Sequence, residues 1–195
     1  MADTLIRRSP LHSHHSRLAA LPQSASVSDE PFFTMVELWV DPSGPGASAA
    51  ADVLGVDALP TTPSTVVDGP DTSVIWLGPQ EWLAISAGRD GEELEVALRA
   101  AVSTDSGAAV DVSAQRTSVR LRGLHARAVL AKGCALDLHV MAPGSAAQTV
   151  LGRASVVLVP MSDDGTDYRI IVRSSFARYL ADWLIDAAGE FGVSW

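Results

Sequence analysis

Few residues in this chain have chemical reach. Three histidines, His12, His14 and His15, stand together near the amino terminus. Imidazole ligates zinc and other transition metals, but neighbouring side chains cannot easily point at one ion, and no carboxylate or cysteine accompanies them at ligand spacing. The cluster therefore reads as part of a polar segment and not as a metal site. Cys134, the single cysteine, follows Lys132-Gly133 at the close of a short helical run. Thiolates are stabilised at the amino end of a helix and not at the carboxyl end. Its neighbours Ala135 and Leu136 favour a small buried hydrophobe. A nucleophile would also need a base, and neither His125 nor His139 stands at a spacing that supplies one. Asp111, Asp137 and the pair Asp163-Asp164 could act as acid and base, yet Asp111 and Asp137 follow short apolar runs, where aspartates usually close turns on the backbone. No Gly-x-Gly-x-x-Gly follows a strand and no Gly-x-x-x-x-Gly-Lys is present, so there is no recognisable nucleotide cradle. The expectation is a chain without catalytic, cofactor-binding or metal-ligating residues of its own.

The elements that would position these side chains must come from a globular protein, because 47% hydrophobic and 19% charged residues lie far from the composition of disorder. A net charge of -9 repels a phosphate backbone, and no Lys/Arg stripe reverses it locally, which argues against nucleic acid as a partner. A lone cysteine cannot form an intrachain disulfide and suits a reducing compartment. Arg7-Arg8 is followed by Ser9-Pro10-Leu11-His12 instead of an apolar segment, so no secretion signal is read. The apolar stretch Ala154 to Met161 is far shorter than the roughly 20 residues a membrane span needs. A soluble, cytoplasmic protein is expected.

Residues 1–30 are polar and lack either period, with Leu18, Ala19, Ala20 and Leu21 as their apolar cluster. They predict an extended arm laid along a neighbouring surface. Residues 31–113 form the first folded half. It has a strand around Phe33 to Val40, a helix from Ala47 to Leu54, strands Ser73 to Leu77 and Trp82 to Ala87 about a Gly78-Pro79-Gln80-Glu81 turn, a helix Gly91 to Ser103, and a strand Ala108 to Val112. That order is the split βαβ of ferredoxin-like α+β folds. Residues 114–195 repeat it coarsely. Strand Thr117 to Arg122 alternates Val119 and Leu121 inward with Ser118, Arg120 and Arg122 toward water. A short helix His125 to Ala131, a meander of strands Ala147 to Leu151, Ser155 to Pro160 and Tyr168 to Val172, and a final helix follow. Ser174 or Ser175 offers that helix an N-cap, Phe176, Tyr179, Leu180, Trp183, Leu184 and Ala187 form its apolar stripe, and Gly189 ends it. Core packing is expected for Trp39, Trp76 and Trp183, whereas Trp82 at the hairpin turn and the final Trp195 read as interface anchors.

Three separated segments carry a resemblance. Ser9-Pro10-Leu11 with Val74-Ile75-Trp76-Leu77-Gly78-Pro79-Gln80-Glu81-Trp82-Leu83 is similar to the opening signature of the gamma subunits of heterotetrameric sarcosine oxidase. Asp111-Val112-Ser113, Arg116-Thr117, the strand ending at Gly123, and Ala126 through His139 resemble the central block of those subunits. Arg173-Ser174-Ser175-Phe176-Ala177-Arg178-Tyr179-Leu180 with Trp183-Leu184 is similar to their closing helix. Val140-Met141-Ala142-Pro143-Gly144 departs from the pattern, being shorter and lacking a phenylalanine. The resemblance implies two ferredoxin-like halves with antiparallel sheets, related to the folate-binding domain of aminomethyltransferases. It further implies a heterotetramer in which alpha, beta and delta subunits hold FAD, FMN, NAD, zinc and tetrahydrofolate, while this chain contributes structure. The expected contacts with those partners are Leu11, Trp82, Arg116, Arg173 and Trp195. Two other readings stand beside it: a stand-alone folate-binding methylene transfer protein, and a ferredoxin-like module that binds an amino acid.

Overall fold

The computed structural model describes residues 6–192. Leu11, Leu18, Ala25 and Val27 follow no regular period, yet all are buried and all belong to one core. The segment that carries them is folded. A 3-10 turn at His12–His14 leads into helix α1 (His15–Ala19), and another turn at Gln23–Ala25 leads into strand β1 (Ser26–Glu30). The extended arm expected over residues 1–30 is thus corrected for its described part, residues 6–30. Elements this short have no time to show a period, and the apolar side chains are held by the second half of this same chain.

The first half is built as its alternation predicts. Strand β2 (Thr34–Trp39), helix α2 (Pro45–Leu54), a short strand β3 (Val66–Asp68), strands β4 (Thr72–Gly78) and β5 (Glu81–Ser86), helix α3 (Gly91–Val102) and strand β6 (Ala108–Asp111) follow in order. Asp90 caps α3, its carboxylate accepting from the Glu92 and Glu93 amides at 3.0 and 3.1 Å, and Gly55 ends α2 at φ +69°. The sheet runs β3-β4-β5-β2-β6, every pair antiparallel. This is the ferredoxin-like order, with β3 added at one edge.

The second half comprises β7 (Arg116–Arg122), α4 (Ala126–Ala131), β8 (Ala147–Leu151), β9 (Ala154–Pro160), β10 (Asp167–Arg173) and α5 (Ala177–Gly189). Its sheet runs β1-β7-β10-β9-β8, again antiparallel. Placed beside the first, β7, β10, β9 and β8 take the positions of β2, β5, β4 and β3. The position of β6 is filled by β1, from the other end of the sequence. Without β1, the backbone of β7 would be an open sheet edge.

Strand alternation then sorts the side chains into three cores and four layers. Val36, Leu38, Trp82 and Ala84 face α2 and α3. Val119, Leu121, Tyr168 and Ile170 face α1, α4 and α5. The opposite faces of the two sheets meet through Met35, Ile75, Leu83 and Ile85 on one side and Val157, Val159 and Ile171 on the other. Burial of about 25 cal/mol per Å² of apolar surface makes these cores the main source of stability. Ser174 does not cap α5; its hydroxyl donates to the Ala114 carbonyl at 3.0 Å. Phe176 and Tyr179, read as part of the apolar stripe, are 45% and 37% exposed, because the turn Ser174–Phe176 starts the helix at the sheet margin. No described helix is long and apolar enough to cross a membrane.

Candidate functional site

Several of the chemistry-bearing residues singled out in the sequence are engaged by hydrogen bonds or ion pairs within the chain. The Asp111 carboxylate accepts from the amide and hydroxyl of Ser113, and Asp137 accepts from the His139 amide at 3.0 Å. Asp164 accepts from the amide and hydroxyl of Thr166 and from Ser162, and these hydrogen bonds lower its pKa to about 2. Cys134 is buried, its sulfur 3.8 Å from the Thr149 hydroxyl. His14 and His15 turn to different carboxylates, His15 meeting Asp29 at 2.8 Å and His14 lying 3.4 Å from Asp182, while the His12 ring packs edge to face on His15 at 5.6 Å.

Leu11 and Trp82 are both fully buried within this chain, so neither offers surface to a partner. Trp82 shares its face of β5 with Ala84, turned toward α2 and α3, and its indole Nε1 donates to the Pro60 carbonyl at 2.7 Å. The loop Leu59-Pro60 folds over a position that its place beside a hairpin turn made look exposed. Trp195 lies outside the described residues.

Arg116 and Arg173 are brought together. They are opposite partners in the β7–β10 register, on the side of the sheet where Val157 also points. With Gln148, Val150 and Ser155 they line a hollow of about 330 Å³. Ser155 and Arg173 also border a second hollow of about 230 Å³ with Arg153 and Phe176. A third, of about 210 Å³, joins Arg116 to Arg7, Arg8 and Phe32. The Arg7 guanidinium sits 4.6 Å from the Phe32 ring centroid, in cation–π range. Arg116 is paired with Glu37 of the opposite sheet, with its Nε buried and unpartnered.

A second charged group, which sequence reasoning missed, lies deeper between the sheets. Ser118 and Arg120, expected on a wet face, are 0% and 8% exposed, because the first half covers them. Glu30 accepts from Arg169 Nε at 2.9 Å and from the Ser118 hydroxyl at 2.9 Å, with Arg120 at 3.7 Å. Asp167 takes Arg120 on both oxygens and has Arg122 at 3.4 Å. The Arg169 guanidinium lies 4.8 Å from the centre of the Phe33 ring. Burial alone would raise both carboxyls, but the hydrogen bonds and charges of Arg169, Ser118 and Arg120 on Glu30, and of Arg120 and Arg122 on Asp167, outweigh it and hold both below their ordinary values. The only sequence signal was the polar alternation of Ser118, Arg120 and Arg122 in β7, which is equally the pattern of a solvated strand face.

The sign of these shifts sets a pH prediction. Carboxyls lowered on folding stabilise the protein above their ordinary values, 4.5 for Glu30 and 3.8 for Asp167, and that contribution is lost as pH falls through the folded values. Urea midpoints should hold steady down to about pH 5 and then drop. Glu30→Gln should lower the midpoint at neutral pH and shrink the acid drop, and an unchanged acid drop would dismiss this network as its source.

A sequence profile described as "Sarcosine oxidase, gamma subunit family" matches residues 40–190. The chain belongs to this family. It is 35% identical to the sarcosine oxidase subunit gamma of Corynebacterium sp. (strain P-1), over 97% of this chain and 93% of that one. It is 34% identical to the subunit of the same description from Arthrobacter sp., again over 97% and 93%. Among solved structures, one of the heterotetrameric sarcosine oxidase from Corynebacterium sp. U-96 in complex with pyrrole 2-carboxylate superposes with a TM-score of 0.87. The identity is 32%, with 97% of this chain and 98% of that chain covered. The glycine cleavage system aminomethyltransferase T from Bartonella henselae gives a TM-score of 0.64 at 16% identity, covering 88% of this chain and 48% of that one. That second likeness is one of fold. The gamma subunit family and the aminomethyltransferase thus share the arrangement of paired, antiparallel, ferredoxin-like sheets.

Proposed function

We propose that this chain is a non-catalytic structural subunit of a heterotetrameric sarcosine oxidase. Alpha, beta and delta subunits hold FAD, FMN, NAD, zinc and tetrahydrofolate. The assembly converts sarcosine to glycine by oxidative demethylation, with hydrogen peroxide and either formaldehyde or 5,10-methylenetetrahydrofolate as the other products. The observation that carries this reading is the overlap of nearly the whole chain with a chain of such an oxidase. A lone buried Cys134 suits the reducing conditions of the cytoplasm, where we place the complex.

Two features of the interior support a structural role. The carboxylates and the thiol described above are already committed to turns, ion pairs or core packing. The cavity between the sheets, bordered by Asp68, Ser73, Ile75, Ile85, Val159 and Arg169, measures about 210 Å³. Pockets for drug- and cofactor-sized ligands run roughly 300–1,000 Å³. Its guanidinium is already engaged by Glu30. That cavity offers a folate neither the room nor a free cation.

The test is gentle purification of the tagged chain from its native host, with masses of the co-purifying proteins, the flavin spectrum and sarcosine-dependent peroxide recorded together. Three further subunits with flavin bands and peroxide formation are expected. A lone colourless protein would overturn the assignment and redirect the search to folates and amino acids as ligands.

A further inference from the structure

The surface around Arg173 stands apart from the rest of the molecule. The chain carries 23 acidic and 14 basic side chains, and six of the described arginines are paired with carboxylates of the fold. Arg17 meets Asp182, Arg99 meets Glu95, Arg120 meets Asp167, and Arg169 meets Glu30. Arg153 and Arg173 are not paired in this way. Both are exposed, both line the hollow with Ser155 and Phe176, and among the described residues no carboxylate lies within ion-pair distance of either.

Local structure holds these side chains at the surface. Arg153 sits in the Gly152-Arg153 turn between β8 and β9, where Gly152 takes φ +62°. Its amide is anchored by donating to the Tyr179 hydroxyl at 3.0 Å. Arg173 ends β10 directly before the turn that starts α5. The hollow they share continues through Arg173 to Arg116, and through Arg116 to Arg7 and Arg8. The result is a basic strip on an acidic protein. Large apolar side chains are exposed along it: Val150 at 50%, Phe176 at 45% and Phe32 at 44%.

We propose that this strip is a docking surface for an acidic segment of a partner subunit, an inference that rests on the accessory-subunit reading above. Guanidinium groups recognise carboxylates through paired N–H donors. Arginine and aromatic side chains are also what the energetic centres of protein interfaces favour. Three contiguous hollows, with apolar side chains between the cations, extend farther than a single small anion can use. A polypeptide bearing several Asp or Glu side chains among apolar ones fits that length and that alternation.

The experiment co-expresses the full chain with its partner subunits and compares wild type with the double variant Arg153→Glu, Arg173→Glu. Both positions are exposed, so the melting temperature of the variant chain should match wild type. Its affinity for the remaining subunits should fall about tenfold or more, and the salt dependence of assembly should flatten. If wild type assembles and the variant assembles equally well with the same salt dependence, this surface is not the docking site. If wild type itself fails to assemble with larger subunits, the accessory-subunit reading falls and takes the strip with it. Inorganic phosphate that stabilises the wild-type chain but not the variant, with assembly equal in both, would instead make the strip a small-anion site.

Discussion

Replacing Gly123 by alanine is expected to cost about 2–6 kcal/mol, the sum of strain at positive φ and overpacking against backbone. Gly123 has φ +123°, and a Cβ there would collide with the Ser24 carbonyl and come within 2.5 Å of the Gln23 carbonyl oxygen. Backbone cannot move aside as a flexible side chain can. The crossing is fixed on both sides, since the Gly123 amide donates to the Thr166 carbonyl at 2.8 Å and the His125 amide to the Ser24 carbonyl at 2.7 Å. Relief therefore requires the amino-terminal segment to lift away, taking β1 and Leu18 from the core. Gly144 is the control: it also has positive φ, +84°, but nothing lies within 4 Å of its would-be Cβ, so alanine there should cost only about 1–2 kcal/mol. Thermal melts of the two variants decide the point, and equal melting temperatures would mean that the close approach at Gly123 does not hold the segment.

Trp82→Ala should lose about 3–5 kcal/mol, the usual cost of emptying a large aromatic site in a packed core. Trp82 is fully buried, and the loss leaves a void among Val74, Ala84 and the apolar faces of α2 and α3 with the Pro60 carbonyl stripped of its donor. For a chain of 195 residues that is a fall in melting temperature on the order of 10 °C. Whatever fraction remains folded should join partner subunits with unchanged affinity. Weakened assembly at unchanged stability would restore the view of Trp82 as an interface anchor.

The contrast between these two sites shows what the sequence could and could not reveal. From Thr34 onward the strands and helices have clear periods and turn residues, and the ferredoxin-like order was legible from them. Asp111 and Asp137 were legible as turn closers because the interaction is local, spanning two residues. Trp82 was misplaced because its cover is a loop residue 22 positions away. Residues 9–30 were misplaced for a related reason: their periods are too short to read, and their partners begin near Arg116. Ser118 and Arg120 show the limit of patterning, since polar alternation looks the same whether the polar face meets water or a second sheet that pairs its charges. Arg116 and Arg173 were singled out only through the resemblance, and it took the register of β7 against β10 to bring them together.

The placement of β1 has a consequence for how the chain is made. Its partner strand lies far along the sequence, Ser26 pairing with Arg122 at a separation of 96 residues. At translation speeds of roughly 5–20 residues per second, several seconds or more pass between the emergence of β1 and that of its mate. During that interval the first half can complete its own sheet on the ribosome, while Leu11 and Leu18 wait unsheltered in the nascent chain. The amino-terminal segment is synthesised first and docked late, because the core that shelters Leu11 and Leu18 is complete only once α5 has emerged.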